Sequence, residues 1–255
     1  MSKKQLFLIG VSLSHSFSPP FFYNKFKKEK ITDYQYDTFE LKQIQEIWQC
    51  VEEHPNLVGF NVTFPYKEQI IPYLDWIDPL AAQIGAVNVV KVIRADKNIQ
   101  LRGYNTDYIG FAATLDAVRQ RKGAPFHRAL IFGSGGSAKM AAFVLEKQGI
   151  EANLVSRNPN LGFLTYEIIK KGGMEGHDLL VHCTPVGTFP AVEEMVPIDP
   201  QQINSSHALI DLVYNPEESL FLRKGREAGA ITQNGLLMLE VQAEESWKIF
   251  SATSF

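Results

Sequence analysis

Cysteine is scarce in this chain of 255 residues: only Cys50 and Cys183 occur, far apart in sequence. Their separation excludes a metal or redox spacing and leaves them best read as reduced thiols in a cytoplasmic protein. The six histidines are scattered, with no two at helical ligand spacing, so no metal is expected. Long apolar runs are also missing. The lysines and Leu6-Phe7-Leu8-Ile9 near the start superficially resemble an export signal. That run is too short, and serines follow from Ser12, so a buried strand is expected instead. No stretch approaches the length of a membrane span. Nor is there an excess of positive charge, because 25 basic residues against 28 acidic ones give −3. That balance provides no field for nucleic acid or an anionic membrane. The one basic run, Lys25 to Lys30 interrupted by Phe26 and Glu29, reads as a solvated helix face.

What is present fits a globular α/β protein: hydrophobic residues reach 45% and charged residues 21%. The length accommodates one large domain or two smaller ones, each with its own core. Residues 6–10 read as a buried strand, followed by a helix over 19–29. Leu41, Ile44, Ile47, Trp48 and Val51 recur at three- and four-residue intervals, which predicts an amphipathic helix. Residues 57–62 read as a strand, and Pro65 suits the first turn of a helix. Strands at 86–93 and 99–104 flank Ala95-Asp96-Lys97-Asn98 as a hairpin. A helix over 106–120 then leads to strands at 129–132, 152–156, 179–183 and 208–213. Their alternation with helical or loop segments predicts a parallel sheet with crossover helices. A last helix covers 235–250.

The strand ending at Phe132 runs into Gly133-Ser134-Gly135-Gly136-Ser137-Ala138, and a helix follows. This is G-x-G-x-x-A in the context that binds a dinucleotide. Gly133 permits the tight turn, Gly135 lets the backbone approach a pyrophosphate, and Ala138 allows close helix–strand packing. The helix N-terminus then offers N–H groups and a positive dipole end. The next strand ends Val155-Ser156-Arg157-Asn158 without the acid that usually binds the ribose of NAD, and Glu151 lies at its other end. Arg157 can instead bind a 2′-phosphate, which favours NADP. A serine hydrolase is disfavoured, since Gly135-x-Ser137-x-Lys139 lacks the last glycine of a nucleophile elbow.

Further segments follow in an order that spans almost the whole chain. They are His15-Ser16-Phe17-Ser18-Pro19 with Asn24, Asn61-Val62-Thr63-Phe64-Pro65-Tyr66-Lys67, Gly85-Ala86-Val87-Asn88 and Asn105-Thr106-Asp107. After the nucleotide loop come Asp211-Leu212-Val213-Tyr214-Asn215-Pro216 and the run from Asn234-Gly235 to Gln242. This ordered set resembles the shikimate dehydrogenase family, with its quinate-oxidising relatives.

The resemblance implies two α/β domains joined by the helix after Asp107. One is a substrate domain over about 1–110, and the other a Rossmann-type NADP-binding domain over 111–232. The C-terminal helix, 233–255, returns to the substrate domain. It further implies reversible reduction of 3-dehydroshikimate to shikimate by NADPH, a step towards chorismate and the aromatic amino acids, in a monomer or homodimer. Oxidising a secondary alcohol needs a base for the hydroxyl proton as hydride leaves, and the reverse needs the same group as acid. The family assigns this to Lys67, with Asp107 orienting its ammonium. Ser16 and Ser18 would hold the substrate carboxylate, unless they merely cap the helix near Pro19. Asn61, Thr63, Lys67, Asn88, Asp107 and Gln242 would contact the rest of the substrate, and Tyr214 would border its ring. The cofactor set would be Gly133, Ser134, Gly135, Gly136, Ser137, Ser156, Arg157, Thr184, Val213 and Gly235.

The sequence also departs from the family. Val11-Ser12 replaces Asn-Pro, Tyr23 replaces the histidine usual before Asn24, and His182-Cys183-Thr184 replaces Asn-Ala-Thr. No second basic residue follows Arg157 before Lys170. Quinate oxidation with relaxed cofactor use remains an alternative. A non-catalytic ligand sensor is another, although it would typically lack Lys67 or Asp107.

Overall fold

A computed structural model describes residues 2–14, 16–95, 98–158 and 163–252. Its contacts divide the chain into two compact units, Met1–Thr106 with Gln242–Phe255, and Asp107–Val241. The sequence places these borders near 110 and 233. The contacts place them elsewhere because Asp107 opens a helix of the second unit, whereas the Gln242 side chain bonds Asn88 in the first.

In the first unit, β1 (Lys4–Gly10) runs parallel to both β2 (Tyr34–Glu40) and β3 (Leu57–Val62). Leu6, Phe7, Leu8 and Ile9 are all buried, as expected for a central strand covered on both faces. Phe7 and Ile9 enter one core, and Leu6 and Leu8 another. β4 (Trp76–Ile77), β5 (Val89–Ala95) and β6 (Asn98–Tyr104) complete a mixed sheet in the order β2-β1-β3-β5-β6-β4. β5 and β6 are antiparallel, as the hairpin reading requires; Asp96 and Lys97 of its turn lie outside the described residues.

Short helices α1 (Ser18–Lys28), α2 (Ile47–Glu53), α3 (Tyr66–Gln69) and α4 (Pro79–Ile84) connect these strands. The helix expected from Leu41 is shorter, with a 3₁₀ turn at Ile44–Glu46 before α2. Leu41, Ile44, Ile47 and Val51 are nevertheless all buried, so their spacing reported burial rather than continuous helix. The basic run also needs correction. Lys27, Lys28 and Lys30 are exposed, but Lys25 is buried, 2.7 Å from Glu29 and 2.6 Å from Glu244. Burial opposes its charge, and the two carboxylates outweigh that cost and raise its pKa.

The second unit begins with α5 (Asp107–Lys122) and β7 (Arg128–Phe132), followed by α6 (Gly136–Lys147) and β8 (Glu151–Ser156). Next come β9 (Leu164–Thr165), α7 (Tyr166–Ile168), β10 (Leu179–His182) and β11 (Ala208–Asp211). The unit then continues through α8 (Leu220–Glu227), β12 (Ile231–Gln233) and the start of α9 (Leu236–Ser251). The sheet order is β12-β11-β10-β7-β8-β9, and every pairing is parallel. Counted within the unit, this is 6-5-4-1-2-3, the dinucleotide-binding doubly wound order. Its switch point falls between β7 and β10, where successive crossovers lie on opposite sides. β11 is shorter than expected because the Asp211 carboxylate turns back to accept the Val213 N–H at 2.9 Å.

The last turns of α9 are fixed within the first unit by two residues of the mixed sheet. A β-carbon on Gly59 would lie 2.6 Å from the Phe250 ring, so the glycine leaves room for that ring. Lys91 aims its ammonium at the carbonyls of Ile249, Phe250 and Ala252, at 3.0, 2.5 and 3.1 Å. These carbonyls belong to a helix end, which has no intrahelical donors for them.

Lys91→Met should therefore cost about 1–3 kcal/mol, the usual penalty for stranding buried acceptors. Urea titration followed by tryptophan fluorescence checks this in the first unit, since Trp48, Trp76 and Trp247 all lie there. Burial, followed by the charge of Lys4, brings Lys91 from 10.5 down to about 8. Between those values the unfolded chain binds more protons, so stability from this residue grows as pH rises through the window. The gap between wild type and Lys91→Met should widen accordingly. An unchanged midpoint at both ends of that window would show that the cap contributes nothing.

Candidate functional site

A buried polar side chain is costly unless partners are supplied, and the first unit supplies them in series. Burial pushes the Tyr36 phenol well above its ordinary range, against an opposing hydrogen bond from Ser18. The phenol stays protonated and donates to Asn61 Oδ1 at 2.8 Å. Asn61 donates in turn to the Asn88 carbonyl at 3.2 Å and to Ser246 Oγ at 3.1 Å. Asn88 Oδ1 accepts the Thr106 N–H at 2.7 Å, while its Nδ2 donates to Thr106 Oγ1 at 3.0 Å and Gln242 Oε1 at 3.3 Å. Ser246 Oγ stands 3.0 Å from Thr106 Oγ1 and donates to the Gln242 carbonyl at 2.7 Å. With Thr106 as donor to it, that hydroxyl has one donor and two acceptor positions in use.

Four residues singled out from the sequence, Ser18, Asn61, Asn88 and Gln242, thus share one buried network. Capping does not account for the serines: the N-cap of α1 is Phe17, and Ser18 faces Tyr36. Ser16 is half-buried, with its N–H on the Leu13 carbonyl at 3.0 Å.

Thr63 and Lys67 follow β3. The Thr63 methyl lies 2.5 Å from where Gly10 would carry a β-carbon, and its N–H donates to Ile9 at 2.9 Å. Tyr66 anchors α3 by its hydroxyl on the Leu41 carbonyl at 2.8 Å. Half-buried Lys67 stands beside it and accepts the Val87 N–H on its own carbonyl at 2.8 Å. That bond joins α3 to the Asn88 segment. The segment leaves α4 through Gly85, whose φ of 72° closes the helix in the left-handed region where glycine is favoured.

In the second unit, the loop Gly133–Ser137 sits at the carboxyl end of β7, at the switch point. Gly133 has φ 127°, and a β-carbon there would meet the Thr184 methyl at 3.3 Å. Gly135 is exposed, and its missing β-carbon would point into open space. Gly136 and Ser137 open α6. A dinucleotide fits these residues: the backbone is bare at Gly135, and the first N–H groups of a long helix lie beside it. At the end of β8, Ser156 is buried, with its hydroxyl 3.5 Å from Ser134 Oγ and accepting the Asn158 N–H at 3.2 Å. Arg157 is exposed and is the cation at that strand end.

Across the switch point, His182 ends β10 fully buried. Its Nδ1 lies 2.9 Å from Asp211 Oδ1, and its Nε2 lies 2.5 Å from Thr184 Oγ1. Ser219 donates to the other Asp211 oxygen. Val213 is buried, and its carbonyl accepts the Gly235 N–H at 3.1 Å. Gly235 has a packing reason of its own, since a β-carbon would strike the Leu212 carbonyl oxygen. Tyr214 is half-buried after β11, and Asp107 is buried at the first position of α5.

Sequence reasoning assigned no part to Tyr36, Ser246 or the His182–Asp211 pair. Ser246 had a readable signal, since it lies four residues after Gln242 on the same face of a helix. Tyr36 had none, because it lies on an edge strand whose other residues are mostly polar.

Known proteins resemble this chain in sequence and in fold. Residues 8–90 match the shikimate dehydrogenase substrate binding domain. Over 246 residues the chain is 40% identical to a shikimate dehydrogenase (NADP(+)) of Clostridium botulinum, covering 92% of each. The crystal structure of shikimate dehydrogenase 1 from Peptoclostridium difficile superposes with TM-score 0.84 at 34% identity, covering 100% of this chain and 93% of that one. Shikimate 5-dehydrogenase from Thermus thermophilus, in complex with NADP(H) and shikimate, gives TM-score 0.80 at 27% identity, covering 98% and 94%. The chain belongs to the shikimate dehydrogenase family.

Proposed function

We propose that this protein reversibly reduces 3-dehydroshikimate to shikimate with NADPH, acting as an oxidoreductase on a secondary alcohol in the aromatic biosynthetic pathway. The observation that carries this reading is the parallel sheet in doubly wound order with the Gly133–Ser137 loop at its switch point. Bound NADPH supplies the hydride. Lys67 supplies the proton: its ammonium protonates the ketone oxygen in reduction, and the amine recovers that proton from the hydroxyl in oxidation. Asp107 is its orienting carboxylate.

Ser16 and Ser18 hold the substrate carboxylate. Asn61, Thr63, Asn88, Asp107 and Gln242 read the hydroxyls, and Tyr214 borders the ring. Buried neutral amides suit this task, because their mutual hydrogen bonds fix the direction of the acceptor positions they have left for a hydroxyl. Gly135 and the N-terminus of α6 receive the pyrophosphate, and Arg157 receives the 2′-phosphate. The protein works in the cytoplasm as a monomer or homodimer on a small-molecule substrate, without nucleic acid or membrane. Among the described residues, no three of His, Cys, Asp or Glu are grouped to hold a metal ion, and no helix is long and apolar enough to cross a membrane.

Lys67→Ala should lower kcat by roughly 10²–10⁴-fold, the range for a positioned acid–base group, with little change in shikimate affinity. Asp107→Asn should slow turnover as well. Steady-state kinetics, with circular dichroism to confirm folding, provide the check; a folded Lys67→Ala enzyme with near-normal kcat contradicts the assignment.

Arg157→Ala should weaken NADP by roughly ten- to a hundredfold, the equivalent of about 1.5–3 kcal/mol for a charged hydrogen bond. NAD has no 2′-phosphate and should be nearly unaffected. Measured kcat/KM for both cofactors, at fixed shikimate and salt, decides the point. Equal losses would make Arg157 structural.

A further inference from the structure

His182 has a more specific environment than packing alone requires. The ring is wholly buried, and each nitrogen has its own partner, Asp211 at 2.9 Å and the Thr184 hydroxyl at 2.5 Å. A carboxylate only accepts hydrogen bonds, so Nδ1 carries a proton and donates it to Asp211. The carboxylate is held in turn by the Ser219 hydroxyl and by the Val213 N–H at 2.9 Å. Nε2 lies opposite that proton on the ring, within hydrogen-bond reach of the Thr184 hydroxyl. Threonine oxygen has two acceptor positions, and the Val186 N–H occupies one at 3.3 Å. The same threonine is only half-buried, and its methyl packs where the first glycine of the nucleotide loop lacks a side chain. Its rotamer is therefore fixed at the switch point, with its hydroxyl oxygen 2.5 Å from the histidine Nε2.

We propose that His182, held by Asp211, is a positioning residue for the cofactor: it commits the Thr184 hydroxyl proton inward, so that the threonine oxygen accepts a hydrogen bond from an amide or hydroxyl donor of the bound dinucleotide. This rests on the cofactor reading above and adds to it a device that sets acceptor polarity at one point of the site. His182 touches no reacting atom and acts through Thr184.

Two amides separate this role from simple support of Asp211. In His182→Gln, the side-chain oxygen can occupy the place of Nε2 and accept from Thr184. In His182→Asn, the shorter amide can occupy the place of Nδ1, keeping Asp211 paired but leaving Thr184 without its acceptor. NADPH titration followed by the fluorescence of the reduced nicotinamide gives Kd directly. His182→Asn should weaken binding roughly three- to tenfold, the equivalent of one neutral hydrogen bond, while His182→Gln stays within about twofold. In steady state, KM for NADP should rise in His182→Asn with kcat and the shikimate KM held.

Thr184→Val leaves the His182–Asp211 pair intact and should show the same loss. Combined with His182→Asn, it should add nothing further, because the two changes remove one interaction. Thr184→Val also decides the matter where a His182 variant folds poorly. Wild-type affinity in Thr184→Val or His182→Asn, an equal loss in His182→Gln, or additive losses in the double variant would each overturn this proposal alone. No NADPH binding by the unsubstituted chain would overturn it together with the cofactor reading.

Discussion

Two buried asparagines organise the first unit. Asn88 holds Thr106 by backbone and side chain and reaches Gln242 on α9, while Asn61 reaches Ser246 one helical turn further along. Inside an apolar core each of these bonds is stronger than in water, and each missing partner is correspondingly costly. The strand ends, the exit of the chain at Thr106 and the last turns of α9 are therefore mutually constrained. Lys91 and the Phe250 ring complete that hold from the other end of α9. A set of neutral donors and acceptors prepared in this way suits a ligand rich in hydroxyls, because the protein has already met the cost of ordering its own side chains.

The second unit solves a different problem. It must bring bare backbone and a helix end to a strongly charged ligand, and parallel β-topology does so wherever crossovers diverge. Between β7 and β10 that requirement is met by a glycine with φ of 127° on one side and a threonine fixed by histidine on the other. Small atoms at Gly133 and Gly135 give access, whereas buried polar bonds at Asp211, His182 and Ser156 give rigidity. Mobile side chains in either position would surrender the precision that orients a nicotinamide.

Legibility in the sequence followed burial. Central strands such as β1, β3 and β7 are mostly apolar, and the glycine loop has a spacing imposed by backbone geometry, so both could be read directly. The edge strand β2 could not: of Tyr34-Gln35-Tyr36-Asp37-Thr38-Phe39-Glu40 only Tyr36 is buried. β9 and β12 are two- and three-residue edges with too little pattern to read. Lys25 looked like surface because its partner Glu244 lies 219 residues away, and the capping role of Lys91 likewise depends on a helix end 158 or more residues distant. Lys67 and Asp107 were identified through the family's motifs; neither periodicity nor composition could have paired them. His182 was visible only as a departure, and its meaning emerged once β10 and β11 stood side by side and brought Asp211 to its ring.

The most direct test of this account is a single matrix of initial rates, with shikimate or quinate each paired with NADP or NAD, in the presence of a metal chelator. Shikimate with NADP should give the highest kcat/KM, and the chelator should leave it unchanged. Absence of turnover with every pair, a preference for quinate with NAD, or activity lost to the chelator and restored by zinc would contradict it.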